Sequence, residues 1–217
     1  MIHIETQPAD NPLTGQSKWW GEPDMPVGFD WPAVRVVDEE GERYDDPLTF
    51  VCQIRCEDIS PMDSDGLLPH EGMLYFFAAL DYFLGDIETP AYQGMGEWRQ
   101  DYFRVLYSPT CDNLHTHHVN YPDGTPATMP AEAVTFSKGD ASDDGLKLLG
   151  NPYIEEVAQD MPGMLSLLQL DGNDRWNLVF YDCGTLNFLI RPMTLGNGDG
   201  TALNAIFFLT EPNQHYK

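Results

Sequence analysis

The residues whose types and spacing could hold a metal ion lie within one short stretch of the chain. Zinc is bound by thiolates and imidazoles, and this stretch contains Cys111, His115, His117 and His118. On an extended chain, His115 and His117 would point to the same side. The spacing fits no standard zinc motif, however, and the turn residues that follow at 121–126 are typical of a surface loop. The stretch is interpreted either as a metal site or as an exposed loop without a ligand, and no cofactor is predicted.

A second group of residues could bind a partner through charge. The chain has 35 acidic and 11 basic side chains, with a formal charge of −24. Such a charge repels phosphate backbones and anionic lipids, so we expect no binding to nucleic acid or to membranes. The densest run of acids predicts a surface for a basic protein, assisted by Glu155 and Glu156; solubility or adaptation to salt is the alternative. This run consists of Asp38, Glu39, Glu40, Glu42, Asp45 and Asp46.

The usual signatures of catalytic sites are missing from the sequence. It has no glycine-rich phosphate loop, no nucleophile elbow and no Cys–His pair in a recognisable frame. We therefore expect a protein-binding module rather than an enzyme. The alternative is an enzyme or a small-ligand or metal binder. Its cleft would lie between two similar halves of the chain and would use Asp171, Asp182 or the histidine stretch.

The composition predicts a cytoplasmic protein. The first residues lack the basic and apolar regions of a signal peptide, and no stretch approaches the roughly 20 apolar residues that a spanning helix needs. The cysteines, Cys52, Cys56, Cys111 and Cys183, are few and scattered, which is typical of reduced thiols.

Two segments of similar sequence are expected to position these residues. In the first, an apolar strand at 50–54 ends in Gln-Ile, and the strand at 72–77 opens with Gly-x-Leu-x-Phe. In the second, a strand at 165–170 ends in Gln-Leu, and the strand at 184–190 has the same opening. The similarity predicts an internal duplication of a β unit. A glycine that opens a strand indicates a positive φ or the close approach of another backbone.

The pattern of short strands predicts an α+β fold with mostly antiparallel sheets and few helices. We expect one domain over residues 1–217, with halves at about 17–110 and 146–210 and an irregular segment at 111–145. The prolines of residues 1–33 predict an irregular arm. The clearest helix is predicted to begin after Asn151 as its N-cap and to end before Pro162.

Gln53 and Gln169 occupy equivalent places in the two copies. Each lies within an apolar strand, so its amide is expected to be buried and to bond backbone groups of the neighbouring copy or of the arm that would otherwise be unpaired.

A set of short motifs recurs in a fixed order along the chain. Its positions are Ser17, Lys18, Gly21, Pro23, Asp24, Pro26, Trp31, Pro32, Phe50, Gln53, Ile54, Gly72, Leu74, Phe76, Phe77, Leu149, Gly150, Pro152, Leu167, Leu168, Gln169, Leu170, Asp171, Asp182, Gly184, Leu186, Phe188 and Ile190. Taken in this order, the motifs resemble the YwqG-like proteins, a bacterial domain family of unknown function. The resemblance extends over about residues 17–210, although Trp20 stands where the family usually has a second glycine. It implies no catalytic residues, and it implies an interaction role, such as immunity to a toxin or a part in stress.

Overall fold

The computed structural model describes residues 1–38, 40–120, 124–140, 144–191 and 206–210. These residues form β-strands joined by loops and a few short helices. The strands are β1 (Ile2–Pro8), β2 (Lys18–Trp19), β3 (Asp24–Pro26), β4 (Ala33–Val37), β5 (Arg43–Pro47), β6 (Thr49–Arg55), β7 (Met73–Ala78), β8 (Gly96–Glu97), β9 (Phe103–Ser108), β10 (Leu114–Thr116), β11 (Glu132–Lys138), β12 (Lys147–Gly150), β13 (Leu165–Asp171), β14 (Thr185–Ile190) and β15 (Ile206–Thr210). The helices are α1 (Cys56–Ile59), α2 (Glu155–Asp160) and 3-10 helices at Asp81–Leu84 and Asp174–Trp176.

Eleven of the strands form one sheet in the order β8-β15-β14-β13-β12-β1-β11-β2-β6-β7-β9. The strand pairs among the described residues are all antiparallel, and there are two further small two-stranded sheets, β3–β10 and β4–β5. The predicted fold class, α+β with mostly antiparallel sheets and few helices, is therefore confirmed.

The large sheet curls round on itself. Its two outermost strands, β8 and β9, are separated by only five residues of chain, which can span at most about 20 Å. The ring of Phe76 on β7 packs edge-on against that of Phe188 on β14 with centroids 5.2 Å apart, although six strands lie between them in the sheet. The main hydrophobic core, with apolar residues from both halves, therefore lies inside the curl.

Two hairpins of the sheet pair their strands in the same register. In β6–β7, Gln53 lies opposite Tyr75, and in β13–β14, Gln169 lies opposite Asn187. Each pairing has one register shift, at the same place just ahead of its glutamine.

The strands next to these hairpins match as well. Lys18 of β2 lies opposite Gln53, and Lys147 of β12 lies opposite Gln169. Apart from β8, the sheet order from one edge, β9-β7-β6-β2-β11, mirrors that from the other, β15-β14-β13-β12-β1. The internal duplication stays a prediction, and these matching registers support it.

The glycine at the start of β7 has the role expected from the sequence. Gly72 has φ +95°, and a Cβ there would lie 2.1 Å from the carbonyl oxygen of Ser108 on β9. Only glycine fits this position without a shift of the edge strand.

The turn at Trp20 forms despite the lack of a second glycine, since Trp20 itself takes a left-handed φ of 54° and Gly21 follows with 77°.

Three segments differ from the expectation. Residues 2–8, assigned to the irregular arm, form β1, and β11 runs through the segment expected to be irregular at 111–145. Both strands lie in the middle of the sheet, where pairing with distant strands overrides weak local signals. The predicted helix is shorter than expected, because α2 begins only after Ile154. Ahead of it, the backbone amide of Tyr153 donates a hydrogen bond to the buried side chain of Gln169.

Candidate functional site

One cleft in the molecule is lined by residues from distant parts of the chain. It lies between the β4–β5 hairpin, the loop after β7, residues 126–130 and the turn at 175–177. Its volume is about 870 Å³, which falls in the roughly 300–1,000 Å³ range of ligand sites. Its lining includes carboxylates, aromatic rings and an arginine, among them Tyr44, Asp46, Asp81, Asp86, Arg175 and Trp176.

Among the residues that the structure describes, no basic side chain pairs with three of the carboxylates in this cleft. Within the part of the chain that the structure describes, Asp46, Asp81 and Asp86 have no ion pair with a lysine, arginine or histidine. Burial, with the charges of Asp81 and Asp86, raises the pKa of Asp46 to about 6. Burial and Asp86 also raise the pKa of Asp81, although Thr49 Oγ1 donates a 2.8 Å hydrogen bond to it. Carboxylates held together in this way bind a cation more readily than separate ones do.

A packed aromatic cluster supports another wall of the cleft. The ring of Trp176 stacks on the buried ring of Trp19, with centroids 5.6 Å apart, and meets the buried Trp20 edge-on at 5.4 Å. Trp176 Nε1 donates a 2.8 Å hydrogen bond to Glu132 Oε1, and the guanidinium of Arg175 lies over the Trp176 ring. The wall therefore has a fixed geometry.

One tyrosine, Tyr44, lines the cleft, and others cluster in or against the loop after β7. The ring centroids of Tyr82 and Tyr92 lie 4.0 Å apart, and the hydroxyls of Tyr92 and Tyr181 are 2.8 Å apart. In the same loop Ile87 is 75% exposed, and Tyr44 of β5 is exposed as well. Exposed tyrosines beside a large apolar side chain are characteristic of protein-binding surfaces.

The acidic run expected from the sequence is divided between two environments. Asp45 faces solvent and pairs with Arg35 across the β4–β5 hairpin, which lowers the pKa of Asp45. Asp46, its neighbour in β5, points the other way and lines the cleft, because successive residues of a strand face opposite sides.

The other acids of the run lie in or beside the turn of the hairpin. Asp38 Oδ1 accepts a hydrogen bond from the Glu42 amide, and Glu40 and Glu42 are exposed. Glu39 lies outside the described residues. Glu155 and Glu156 form the first turn of α2. A common acidic face for all of these residues stays a prediction.

The histidine stretch is anchored to the arm next to the core. β10 pairs with β3, with His115 opposite Met25, and His118 Nδ1 lies 2.7 Å from Glu22 Oε1. Burial lowers the pKa of His117, and His115 contributes. The described residues contain no group of three or more histidines, cysteines or acids able to hold a metal ion. Cys111 packs against the hydrophobic core. Metal binding at Cys111, His115, His117 and His118 stays a prediction.

A fully buried ion pair lies beneath this stretch. Lys18 Nζ donates to Asp24 Oδ2 at 2.8 Å, and both side chains are almost inaccessible to solvent. Thr116 Oγ1 of β10 donates to Asp24 Oδ1 at 2.7 Å. Burial acts to raise the pKa of Asp24, but the bonds from Lys18, the Gly15 amide and Thr116 outweigh it, so the pKa is lowered. The pair joins the arm to β10, and its groups are too enclosed to meet a ligand.

Asp171 and Asp182, suggested for the alternative site, are not among the residues that line the cleft. Asp171 accepts hydrogen bonds from the amides of Gly145 and Gly172. Burial raises its pKa, and these two bonds oppose the shift.

The sequence interpretation missed Asp81, Asp86, Arg175 and Trp176. They lie 35 to 130 positions from Asp46, and no motif joins them. The loop after β7 is rich in acids and glycines, and this was one signal of a functional site. It did not indicate a site because such residues are typical of any surface loop.

Comparison with known proteins gives a family but no activity. A family model described as a domain of unknown function, DUF1963, matches residues 17–149. This stretch holds Asp46, Asp81 and Asp86 and ends within β12. No curated protein matches the chain. Among the described residues, no helix is long and apolar enough to cross a membrane.

Proposed function

We propose that this chain, which belongs to the DUF1963 family, is a binding module whose cleft takes a basic segment of a partner protein. The observation that carries this proposal is the convergence of Asp46, Asp81 and Asp86 in one cleft without a basic side chain among the described residues to neutralise them. A lysine or arginine side chain of a partner would supply the missing charge.

Two further features support a basic partner. Tyr44, an exposed tyrosine that lines the cleft, offers a ring over which a guanidinium or ammonium group can lie. The formal charge of −24 attracts a basic protein over a long distance and speeds its encounter with the cleft.

The proposal also includes narrower statements about the family, source, location and role of the protein. Membership of the YwqG-like proteins, a bacterial source, a cytoplasmic location and a role in immunity or stress all agree with a binding module. They rest on the sequence motifs and the composition.

A second candidate function, acid–base catalysis, is favoured by one observation. The raised pKa of Asp46, about 6, would let this carboxyl donate a proton near neutral pH, and Asp81 and Asp86 lie near enough to raise it. This candidate requires a small substrate in place of a peptide.

The test measures, by titration calorimetry, the binding of a blocked triarginine peptide, which is acetylated at its N-terminus and amidated at its C-terminus. We expect binding that weakens about tenfold or more in the double variant Asp46→Asn, Asp81→Asn, since charge-assisted bonds are lost. The control is Asp45→Asn, which removes one charge from the other face of β5 and should change the affinity little. Equal binding by the wild type and the double variant would refute the proposal.

A further inference from the structure

A second, smaller cavity adjoins the cleft. Its volume is about 170 Å³, and it shares Asp46, Thr49, Asp81 and Ala127 with the cleft. This is about a fifth of the volume of the cleft, which is room for the end of one side chain rather than for a stretch of peptide. This side pocket therefore meets the cleft at two of the acids that are proposed to bind a cation.

The residues that line the side pocket but not the cleft are mostly apolar. They include Trp31, Pro47, Leu48 and Val119. A cation that reaches Asp46 and Asp81 therefore has apolar surface next to it. An unmodified ammonium group gains little from such surface, because each of its three N–H groups needs an acceptor.

The indole of Trp31 is held in place by its neighbours. Its Nε1 donates a 2.8 Å hydrogen bond to the carbonyl oxygen of Leu48. Its ring meets Phe77 edge-on with centroids 5.6 Å apart, and Phe50 at 6.4 Å. The side chain nevertheless stays partly exposed, and it lines the side pocket. A ring fixed in this way loses little freedom when a cation packs against it, and the indole attracts cations more strongly than the other aromatic rings do.

The two shared acids differ in the acceptors that they have left. Thr49 Oγ1 already donates a 2.8 Å hydrogen bond to Asp81 Oδ1. Among the residues that the structure describes, neither carboxylate oxygen of Asp46 accepts a hydrogen bond. A cation that keeps one N–H group can therefore bond Asp46 directly, and a charge-assisted bond of this kind is roughly twice as strong as a neutral one.

We propose that the side pocket binds the dimethylammonium group of a methylated lysine in the basic segment of the partner. The one N–H group of that cation donates to Asp46, and its two methyl groups pack against Trp31 and Leu48. Methylation keeps the charge of lysine and replaces N–H groups, which need acceptors, by methyl groups, which do not. This inference deepens the proposed function and rests on it, because the cleft holds the residues on either side of the lysine.

The test compares three blocked peptides in which the central residue of triarginine is replaced by lysine, dimethyllysine or trimethyllysine. In titration calorimetry on the wild type, the dimethyllysine peptide should bind about tenfold more tightly than the lysine peptide, because two methyl groups are buried against the indole. The trimethyllysine peptide should bind about fivefold more weakly than the dimethyllysine peptide, since no N–H group remains for Asp46.

Two variants of Trp31 test the aromatic ring itself. Trp31→Leu should bring the affinities of the dimethyllysine and lysine peptides to within about twofold of each other. Trp31→Phe keeps a ring without the bond to Leu48, so it should retain a preference of about threefold or more. Thermal unfolding checks that both variants are folded. Equal loss of the preference in the two folded variants would overturn the contact with the ring.

Tyr44→Leu is the control, because Tyr44 lines the cleft but not the side pocket. It should weaken the binding of all three peptides alike and leave the preference for dimethyllysine intact. Loss of the preference in this variant would place the methyl groups against Tyr44 and overturn the inference.

The remaining outcomes separate this inference from the proposed function. A wild-type protein that binds the lysine and dimethyllysine peptides equally overturns the inference and leaves the proposed function standing. Failure of these peptides and of triarginine to bind overturns both. Free dimethylammonium chloride should compete only at concentrations at least about a hundredfold above that of the dimethyllysine peptide. Competition at equal concentration would make a small amine the ligand and overturn methylated lysine as its source.

Discussion

Asp45 and Asp46 are neighbours in sequence, and their environments set opposite properties. The Arg35 guanidinium lowers the pKa of Asp45, whereas burial and two nearby carboxylates raise that of Asp46 to about 6. At the scale of single residues, the binding capacity of the cleft is thus linked to a cost in stability. An ionised Asp46 is less favourable in the folded chain than in the unfolded one.

Replacement of Asp46 by asparagine should stabilise the protein above pH 6. Since the folded-state pKa is raised from 3.8 to about 6, the folded protein binds the proton more tightly, and stability is lost as pH rises across that window. An uncharged asparagine side chain at this position avoids the loss. After allowance for solvent screening, we expect a gain of about 1 kcal/mol at pH 8 that vanishes near pH 4.

The measurement is urea unfolding at both pH values. Asp45→Asn should show no gain at pH 8, because it removes a favourable partner of Arg35. A destabilised Asp46→Asn at pH 8 would mean that the carboxylate has a favourable partner in the folded state.

At the scale of elements, the hairpins β6–β7 and β13–β14 each fix an earlier segment of the chain through a glutamine side chain. Gln53 Oε1 accepts from the Asp24 amide, and its Nε2 donates to the Gln16 carbonyl. Gln169 Oε1 accepts from the Tyr153 amide, and its Nε2 donates to the Gly145 carbonyl. Both glutamines are fully buried, so their predicted burial and backbone bonding are confirmed. The partners of Gln53 lie in the arm, as expected, but those of Gln169 lie just ahead of its own hairpin and not in the other copy or the arm.

Leucine in place of either glutamine should destabilise the fold by about 1–3 kcal/mol, because a backbone amide and a carbonyl then stay buried without partners. Chemical unfolding of Gln53→Leu and Gln169→Leu measures this. Gln159→Leu, on the exposed side of α2, is the control. Wild-type stability in both variants would contradict the structural role of the two amides.

The sequence predicts these hairpins because a buried glutamine and a strand-opening glycine are local signals. It does not predict the cleft, which forms where the β4–β5 hairpin meets residues 81–90 and the turn at 175–177. It likewise does not show that β1 and β11 are central strands, because their partners are distant in the chain. Asp46 was identified as an acid of the hairpin, yet its inward direction depends on the register of β5 with β4.

At the scale of the whole molecule, the charge of −24 should affect how fast a partner arrives more than how long it stays. Neutralising Asp38, Glu40 and Glu42 in the hairpin turn should lower the association rate of the blocked triarginine peptide and leave its dissociation rate nearly unchanged. The effect should fade as salt rises from ~0.02 M to ~0.5 M, since screening shortens the range of exposed charges.

Stopped-flow fluorescence across such a salt series measures both rates. If the neutralised variant instead dissociates faster at every salt concentration, these acids contact the ligand directly. Equal rates that do not depend on salt would remove the steering role of the acidic surface.

The most direct test of a cation-binding cleft is the pKa of Asp46 with and without the blocked triarginine peptide. Carbon-13 NMR of the side-chain carboxyl, assigned with Asp46→Asn, reports it. A cation beside Asp46 favours the ionised form, so we predict that the pKa falls from about 6 toward its ordinary value of 3.8 when the peptide is bound. A pKa that stays near 6 in the saturated complex would show that the peptide does not occupy the cleft, and would contradict the proposed function.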